Sequence, residues 1–319
     1  MASMTAPAGT MEFLAGAGWA GGTVTPLAGD ASFRRYFRVT DGGRRAVLMD
    51  APPPHEDPRP FVQVAQWLAQ HGFRAPQVLA VDFDHGLVLL EDLGDQRVRE
   101  RLDAEPGREE AIYSDAVDVL VRLQALPAAP LDSYDRTVLQ REAALLVEWF
   151  APAVGATVNE ARYEAAWDAA FARLEAAEPV TVLRDYHAEN LMLLEGGTLG
   201  LLDFQDALSG HPAYDLASLL QDARRDVDAG LEQRMLTRYR AATRRELDSA
   251  YHVLAAQRNA KIVGIFTRLS KRDGKPRYLD LLPRVWRYLE RDLRHPALAE
   301  VRAWFDQNLP PEVRSTRPV

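Results

Sequence analysis

The spacing of apolar residues changes near residue 94. Before it, short apolar runs separated by Gly, Pro and Asp clusters predict strands and a helix that follows the third strand. The strands fall at 23–27, 33–39, 45–50, 76–83 and 87–91, and the helix at 59–71. After it, apolar residues recur at helical spacing, as at Ile112, Ala116 and Leu123. The pattern predicts an α+β protein with a small antiparallel-sheet lobe at 1–94 and a helical lobe at 95–319.

Three short strands interrupt the helical lobe. They are predicted at 180–183, 191–194 and 199–202. Asp185 and Asn190 follow the first strand with four residues between them, and Asp203 ends the third. We expect this arrangement to bring the three side chains to one end of a small sheet. An acid that orients a hydroxyl, with an amide and a carboxylate as oxygen ligands for Mg²⁺, suits phosphoryl transfer.

Composition narrows the class of protein. The 319 residues are 47% hydrophobic and 26% charged, which is ordinary for a folded protein, and the length favours two lobes. A formal charge of −8 argues against a nucleic-acid partner. Zero cysteines exclude disulfides and thiolate metal sites, and no apolar run approaches the roughly 18 residues of a membrane span. We therefore expect a monomeric cytoplasmic enzyme without a membrane or nucleic-acid partner.

A glycine pattern near the N-terminus imitates a dinucleotide-binding motif. Residues 16–21 fit G-x-G-x-x-G literally. A dinucleotide site would need a strand before the glycines and a helix opening from them. Instead, residues 11–17 read as a short helix, and a strand begins at Thr23. The sequence favours glycines that end a helix.

Asp185 to Asn190, followed by Asp203, resembles the catalytic and metal-binding loops of the aminoglycoside phosphotransferase and choline kinase group. This resemblance implies a protein-kinase-like two-lobed fold, with ATP and Mg²⁺ as cofactors. Asp185 would be the catalytic residue, and Asn190 and Asp203 the magnesium ligands. Asp215, on a helix predicted at 214–225, matches the acid that holds the family's catalytic loop; a helix N-terminal acid stabilised by the helix dipole is the alternative.

The chain departs from the family pattern at three positions. Leu183 stands where a histidine usually organises the loop, and Met49 where a lysine usually contacts the α- and β-phosphates. Gln63 is the nearest counterpart of that lysine's glutamate partner. Another cation would then balance the phosphates. Arg34, Arg35 and Arg38 are nearest in sequence, with Arg34 and Arg38 on one strand face, and the sequence leaves open which of them does so.

The small-residue turn at 28–32, between two strands, resembles the loop that covers ATP phosphates with backbone N–H groups. In the family, the segment 91–94 is the hinge whose main chain meets the adenine edge. The residues assigned to nucleotide binding are Gly29, Asp30, Ala31, Ser32, Phe33, Arg34, Arg35, Met49, Glu91 and Leu93.

A more specific resemblance covers most of the chain. Segments 30–39, 47–54, 184–190, 203–207 and 257–268 are similar to the bacterial anomeric kinases of cell-wall recycling. This resemblance implies ATP-dependent phosphorylation of the C1 hydroxyl of N-acetylmuramic acid and N-acetylglucosamine. An anomeric hydroxyl is unusually acidic, so positioning by Asp185 would need little base strength. The residues assigned to substrate binding are His187, Glu189, Gln205, Asp206, Arg224 and Arg258.

Alternatives to this assignment remain open. Arg258, Lys261 and Arg268 share one face of a predicted helix, which could meet an anionic substrate such as the lactyl carboxylate or be a solvated basic face. A kinase for choline or an aminoglycoside would need an aromatic cage or an acid-rich pocket. A catalytically silent nucleotide-binding regulator is suggested by Met49 and Leu183.

Overall fold

The computed structural model describes residues 5–27, 33–174 and 177–318, which form two compact units. The first unit contains Met1–Ala104 and Glu189–Ala207, and the second contains Glu105–Ala188 and Leu208–Val319. The division by packing falls after residue 104 rather than after residue 94. It also assigns to the first unit a segment of 19 residues that lies far along the chain.

The first unit is built on a five-stranded antiparallel sheet, as predicted. Its strands are β1 (Thr23–Pro26), β2 (Arg35–Asp41), β3 (Arg44–Asp50), β4 (Val78–Asp82) and β5 (Leu87–Glu91), in the order β1-β2-β3-β5-β4. The helices α1 (Thr10–Gly16) and α2 (Arg59–Gln70) accompany it. Gly42 and Gly43 form the two-residue loop between β2 and β3, where both φ angles are positive and only glycine is unstrained.

The two faces of this sheet bury different side chains, as strand alternation requires. On one face, Phe37 and Leu48 pack with Leu14 of α1 in a buried cluster. On the other face, Met49 pairs with Tyr36 on β2 and Val88 on β5, and Met49 is fully buried. The glycines after α1 end a helix and precede a strand, so the dinucleotide-binding interpretation is excluded.

The remaining elements of the first unit include a second small hairpin. They are α3 (Val98–Ala104), β7 (Leu191–Leu193) and β8 (Leu199–Leu201), preceded by the 3₁₀ helix Ala188–Asn190 at the boundary of the units. Strands β7 and β8 pair antiparallel. The Phe204 ring stacks on the Phe61 ring of α2 at 4.9 Å, and the Leu201 N–H donates to the Arg74 carbonyl at 2.7 Å. These contacts attach the hairpin to the rest of the unit.

The second unit is mainly helical, as predicted. Its helices are α4 (Glu109–Leu123), α5 (Arg136–Leu145), α6 (Ala151–Ala153), α7 (Glu160–Phe171), α8 (Ala213–Leu220), α9 (Ala229–Thr243), α10 (Asp248–Lys271), α11 (Leu282–Asp292), α12 (Ala299–Asn308) and α13 (Pro311–Arg314). A π-helical turn, Leu146–Phe150, continues α5. Gly264 allows α10 to approach this region, because a Cβ there would lie 2.3 Å from the Leu145 carbonyl carbon. None of the helices in the described ranges has the length and apolarity needed to cross a bilayer.

Two expectations about local structure were wrong. Strand β6 (Val180–Val182) pairs with β9 (Leu208–Gly210), whereas β7 pairs with β8, so the predicted three-stranded sheet is two separate two-stranded sheets. The partner β9 escaped prediction because Leu208–Gly210 carries no apolar run. The helix predicted at 214–225 ends at Leu220, and Asp222 caps the following turn by accepting the Arg224 N–H at 2.8 Å.

Candidate active site

Strand β6 leads directly into a tight turn that carries Asp185. Arg184 has φ +70°, a left-handed conformation that costs free energy for a residue with a Cβ. The Asp185 N–H donates to the Leu183 carbonyl at 2.9 Å. Asp185 itself is half-buried. The chain therefore reverses direction over three residues and presents a carboxylate at the end of a buried strand.

Asp215, near the start of α8, holds this turn. Its Oδ2 accepts the Leu183 N–H at 2.6 Å, and its Oδ1 accepts the Arg184 N–H at 2.8 Å. Ser218, one helical turn later, donates to the Arg184 carbonyl at 3.2 Å. Asp215 is fully buried, and burial raises its pKa to about 7 although the two N–H groups favour the charged form. This contact is the one that the family resemblance implies for Asp215.

A buried ionic cluster anchors the Arg184 side chain. The guanidinium pairs with Glu142 of α5 and lies 5.4 Å from the centre of the Tyr134 ring. Lys261 of α10 also reaches Glu142, at 3.0 Å. Burial raises the pKa of Glu142, but the two cations outweigh it and the net pKa is lowered. Glu142 was missed at the sequence level, although a glutamate between Leu139 and Ala143 on a buried helix face was an available signal.

Asn190 and Asp203 lie together in the first unit. Asn190 ends the 3₁₀ helix before β7, and Asp203 follows β8 with φ +58°. The Asn190 Nδ2 donates to Asp203 Oδ2 at 3.3 Å, and the Gln205 amide donates to Asp203 Oδ1 at 2.9 Å. One carboxylate and one amide are hard oxygen donors, and Mg²⁺ is commonly held by one or two protein groups plus substrate phosphates. The donor set therefore fits Mg²⁺, and the described residues hold no larger metal-binding cluster of acids and histidines.

The six residues assigned to the sugar divide between the two units. Glu189, Gln205 and Asp206 lie in the first unit, where Glu189 pairs with Arg99 and Gln205 contacts Asp206 at 3.2 Å.

His187, Arg224 and Arg258 lie in the second unit. The Arg224 Nη1 is 3.1 Å from the Nε2 of buried His187. Arginine can only donate, so Nε2 is the acceptor in this contact.

Arg258 and Lys261 are buried, with 4% and 9% of their surfaces exposed. The solvated-basic-face interpretation of these two residues was therefore wrong. Arg258 donates to the Gln221 carbonyl at 3.4 Å, and Lys261 lies 3.4 Å from the Tyr214 hydroxyl. Both side chains belong to the interior of the second unit, on the helix that also approaches the Glu142 cluster.

Four of the residues assigned to the nucleotide, Gly29, Asp30, Ala31 and Ser32, lie outside the described residues. Phe33 is 68% exposed and stacks on His55, and Arg34 and Arg35 each face a carboxylate.

The two residues assigned to the hinge, Glu91 and Leu93, have distinct contacts. The Glu91 carboxylate pairs with Arg74 at 2.7 Å. Leu93 packs on β8, where a Cβ at Gly200 would lie 2.9 Å from Leu93 Cδ1. The absence of a side chain at Gly200 therefore leaves room for the Leu93 side chain.

Comparison with known proteins agrees with the family resemblance seen in the sequence. The phosphotransferase enzyme family matches residues 23–250. A relative from Caulobacter vibrioides, named N-acetylmuramate/N-acetylglucosamine kinase, is 40% identical over 90% of this chain and 92% of its own. A relative of the same name from Pseudomonas aeruginosa is 41% identical over 86% of both chains.

Among solved structures, a choline/ethanolamine kinase family protein from Mesorhizobium loti matches with a TM-score of 0.64 at 16% identity. The match covers 92% of this chain and 98% of that one. At this identity the likeness concerns the fold, and it confirms the protein-kinase-like architecture.

Proposed function

The chain belongs to the phosphotransferase enzyme family, and we propose that it transfers the γ-phosphoryl group of ATP to the anomeric hydroxyl of N-acetylmuramic acid and N-acetylglucosamine. The observation that carries this proposal is the 40–41% identity, over at least 86% of the chain, to two relatives named for that activity. Retention of Asp185, Asn190 and Asp203 in the expected loops supports it.

In the proposed reaction, the C1 oxygen of the sugar attacks the γ-phosphorus, and the bond from that phosphorus to the bridging oxygen of ADP breaks. Asp185 orients the C1 hydroxyl by accepting its hydrogen bond, and the proton passes to the Asp185 carboxylate as the oxygen–phosphorus bond forms. Asp215 keeps the turn before Asp185 in place through two main-chain N–H groups. Asn190 and Asp203 would hold Mg²⁺, which neutralises phosphate charge when bound.

The sugar contacts belong to the same proposal. His187, Glu189, Gln205 and Asp206 would bind hydroxyl groups of the sugar. Arg224 or Arg258 would meet the lactyl carboxylate, which N-acetylmuramic acid has and N-acetylglucosamine lacks. Arg258 supports this role because no carboxylate lies within ion-pair distance of it in the described part of the chain, although it is buried.

An ATP-consumption assay over a panel of amino sugars tests the proposal. N-acetylmuramic acid and N-acetylglucosamine should be phosphorylated, and phosphorus NMR should place the phosphate on C1. The methyl glycoside of N-acetylglucosamine, whose C1 oxygen is blocked, should not react. Phosphorylation of the glycoside at a similar rate would show that the acceptor is another hydroxyl group.

Met49 favours one alternative of a different class. A nucleotide-binding regulator without phosphoryl transfer would tolerate a buried apolar residue where the family has lysine. Binding of ADP without consumption of ATP, across the whole sugar panel, would support that alternative.

A further inference from the structure

The first unit contains no lysine that could meet the phosphates of a nucleotide. The three lysines of the chain, Lys261, Lys271 and Lys275, all lie beyond residue 260. Met49 is fully buried and uncharged, and Gln63 lies on the exposed face of α2, so this pair does not rebuild the family's lysine–glutamate contact. Arginine is the permanently charged residue that remains available in this unit.

Two of the three arginines nearest the predicted phosphate loop are closely neutralised. Arg35 Nε lies 2.6 Å from Asp50 Oδ2, directly across the β2–β3 ladder. Arg38 is held by two carboxylates, Asp92 at 2.8 Å and Asp95 at 2.7 Å. Close carboxylates neutralise these two guanidinium groups and cancel most of their attraction for another anion, although the buried Nε of Arg38 makes no well-aligned hydrogen bond.

Arg34 differs from both. Within the described residues, the carboxylate in ion-pair range is Glu56, whose Oε2 is 3.8 Å from Arg34 Nε, too far for a hydrogen bond. The Arg34 side chain is only 12% exposed, and its buried Nε, like that of Arg38, has no hydrogen-bond partner among the same residues. Arg34 is distinguished by the longer distance to its carboxylate. A largely buried guanidinium with so distant a counter-ion retains the capacity to bind an anion.

Glu56 also holds the main chain next to Arg34, through the preceding residue. Its Oε1 accepts the Phe33 N–H at 3.2 Å, and the Phe33 ring stacks on His55 at 5.4 Å. The proline-rich segment before α2 is thereby attached to the residues that enter β2. Arg34 follows Ser32, the last residue of the predicted phosphate loop, by two positions in the sequence.

We propose that Arg34, positioned by Glu56, supplies the positive charge that binds the nucleotide phosphates in place of the lysine replaced by Met49. The inference rests on the proposed function, because it assumes that ATP is the phosphoryl donor. Arg34 forms and breaks no bond in this role. Its planar guanidinium can donate two parallel hydrogen bonds to phosphate oxygens.

Calorimetric binding of ADP and of adenosine to R34Q tests this inference. ADP carries the phosphates and adenosine does not, so a lost phosphate contact should weaken ADP binding about tenfold to a hundredfold. Adenosine affinity should stay within about twofold of the wild-type value. R34K, which keeps the charge but loses the planar fork, should have an intermediate affinity for ADP.

R38Q is the matched control. Arg38 lies in the adjoining strand with a similar exposure of 19%, but it is neutralised by Asp92 and Asp95. Its replacement should change ADP and adenosine affinities in equal proportion. Unchanged ADP affinity in R34Q, or a parallel loss of adenosine binding, would overturn the inference. A selective loss of ADP in R38Q would identify Arg38 as the cation instead.

The sugar assay separates this inference from the proposed function. If the wild type phosphorylates C1 and R34Q binds ADP normally, the function stands and the role of Arg34 is wrong. If the wild type binds ADP but phosphorylates no sugar, the proposed function fails while the ADP comparison still decides the role of Arg34. Should R34Q not fold, as judged by circular dichroism, the R34K measurement decides: wild-type affinity for both ligands would contradict bidentate phosphate binding.

Discussion

Arg184 and Asp203 have left-handed backbone conformations that are uncommon for residues with a Cβ. Arg184 has φ +70° and Asp203 has φ +58°, and each lies in one of the loops that carry the proposed chemistry. Such conformations persist where surrounding contacts determine them, and here Asp215 fixes the first and Asn190 and Gln205 contact the second. Backbone strain at these two residues supports a functional role for the loops, beyond connecting one element to the next.

Replacing Asp185 with Asn should lower kcat for N-acetylglucosamine by roughly 10²–10⁴-fold. An amide is a much weaker base than a carboxylate, so it takes up the proton of the C1 hydroxyl poorly. Folding should be retained, since Asp185 is half-buried and the turn is held by Asp215. Steady-state kinetics and thermal unfolding would measure both effects. The control is D280N, which removes an exposed charge paired with Arg317. Equal turnover in D185N and D280N would remove Asp185 from the mechanism.

At the residue scale, the sequence predicted Asp185, Asn190, Asp203 and Asp215 because their spacing along the chain matches a family pattern. The Glu142 partner of Arg184 could not be found this way. Residues 142 and 184 are far apart in the sequence, and their pairing depends on how α5 packs beside the catalytic turn. The substrate-binding and nucleotide-binding assignments stay predictions.

At the scale of elements, two helices hold the turn that carries Asp185. The first turn of α8 contributes Asp215, and α5 contributes Glu142. The first contact fixes two main-chain N–H groups, and the second fixes the Arg184 side chain. A short strand and a strained turn are thus positioned by neighbouring helices, which supply hydrogen bonds that a three-residue strand lacks.

The ionisation of Asp215 should make stability depend on pH. Its pKa is raised from 3.8 to about 7, so the folded protein binds this proton more tightly than the unfolded chain does. The associated contribution to the free energy of unfolding is fully present below pH 3.8 and is lost as the pH rises through about 7. A shift of this size corresponds to roughly 4 kcal/mol.

Comparison of wild type with D215N isolates that contribution, because asparagine does not titrate. Urea unfolding midpoints at pH 4.5 and pH 7.5 should show that the wild type's advantage over D215N shrinks at the higher pH. A constant difference between the two proteins at both pH values would mean that the folded and unfolded states share one pKa for Asp215.

Sequence patterns located the five strands and α2 of the first unit to within a few residues. In the second unit they indicated a helical fold but did not place α9, α11, α12 or α13. Two further differences are β9 and the end of α8, and the first has a clear physical cause. Strand β9 (Leu208–Gly210) is three residues long and is a strand only because β6 lies beside it. No local propensity distinguishes such a segment from a loop, so pairing across the chain decides its structure.

At the scale of the whole molecule, the chain enters the first unit twice. Glu189–Ala207 belongs to the unit formed by the N-terminal 104 residues. The contacts of this segment include the stacking of Phe204 on Phe61 and the hydrogen bond between Leu201 and Arg74. The apolar face of α2 is therefore completed by Phe204, a residue that the chain supplies much later.

A fragment of residues 1–104 should consequently fold poorly. It lacks β7, β8 and Phe204, so part of its buried apolar surface would be exposed to water. We expect no cooperative thermal transition in near-ultraviolet circular dichroism. The control is a fusion of 1–104 to 189–207 through a flexible Gly/Ser linker, in which cooperativity should return. A sharp transition in the fragment alone would show that the later segment is dispensable for folding.

The sequence by itself determined the α+β class, the five-stranded sheet and the spacing of Asp185, Asn190 and Asp203, because these depend on local period, turn residues and chain order. Only the tertiary structure decided that β6 pairs with β9 and that Glu142 anchors Arg184. It also decided that, among Arg34, Arg35 and Arg38, Arg34 has the most distant counter-ion in the described part of the chain. Those features depend on distances between groups that are remote in the chain, and burial and neutralisation are set by such distances.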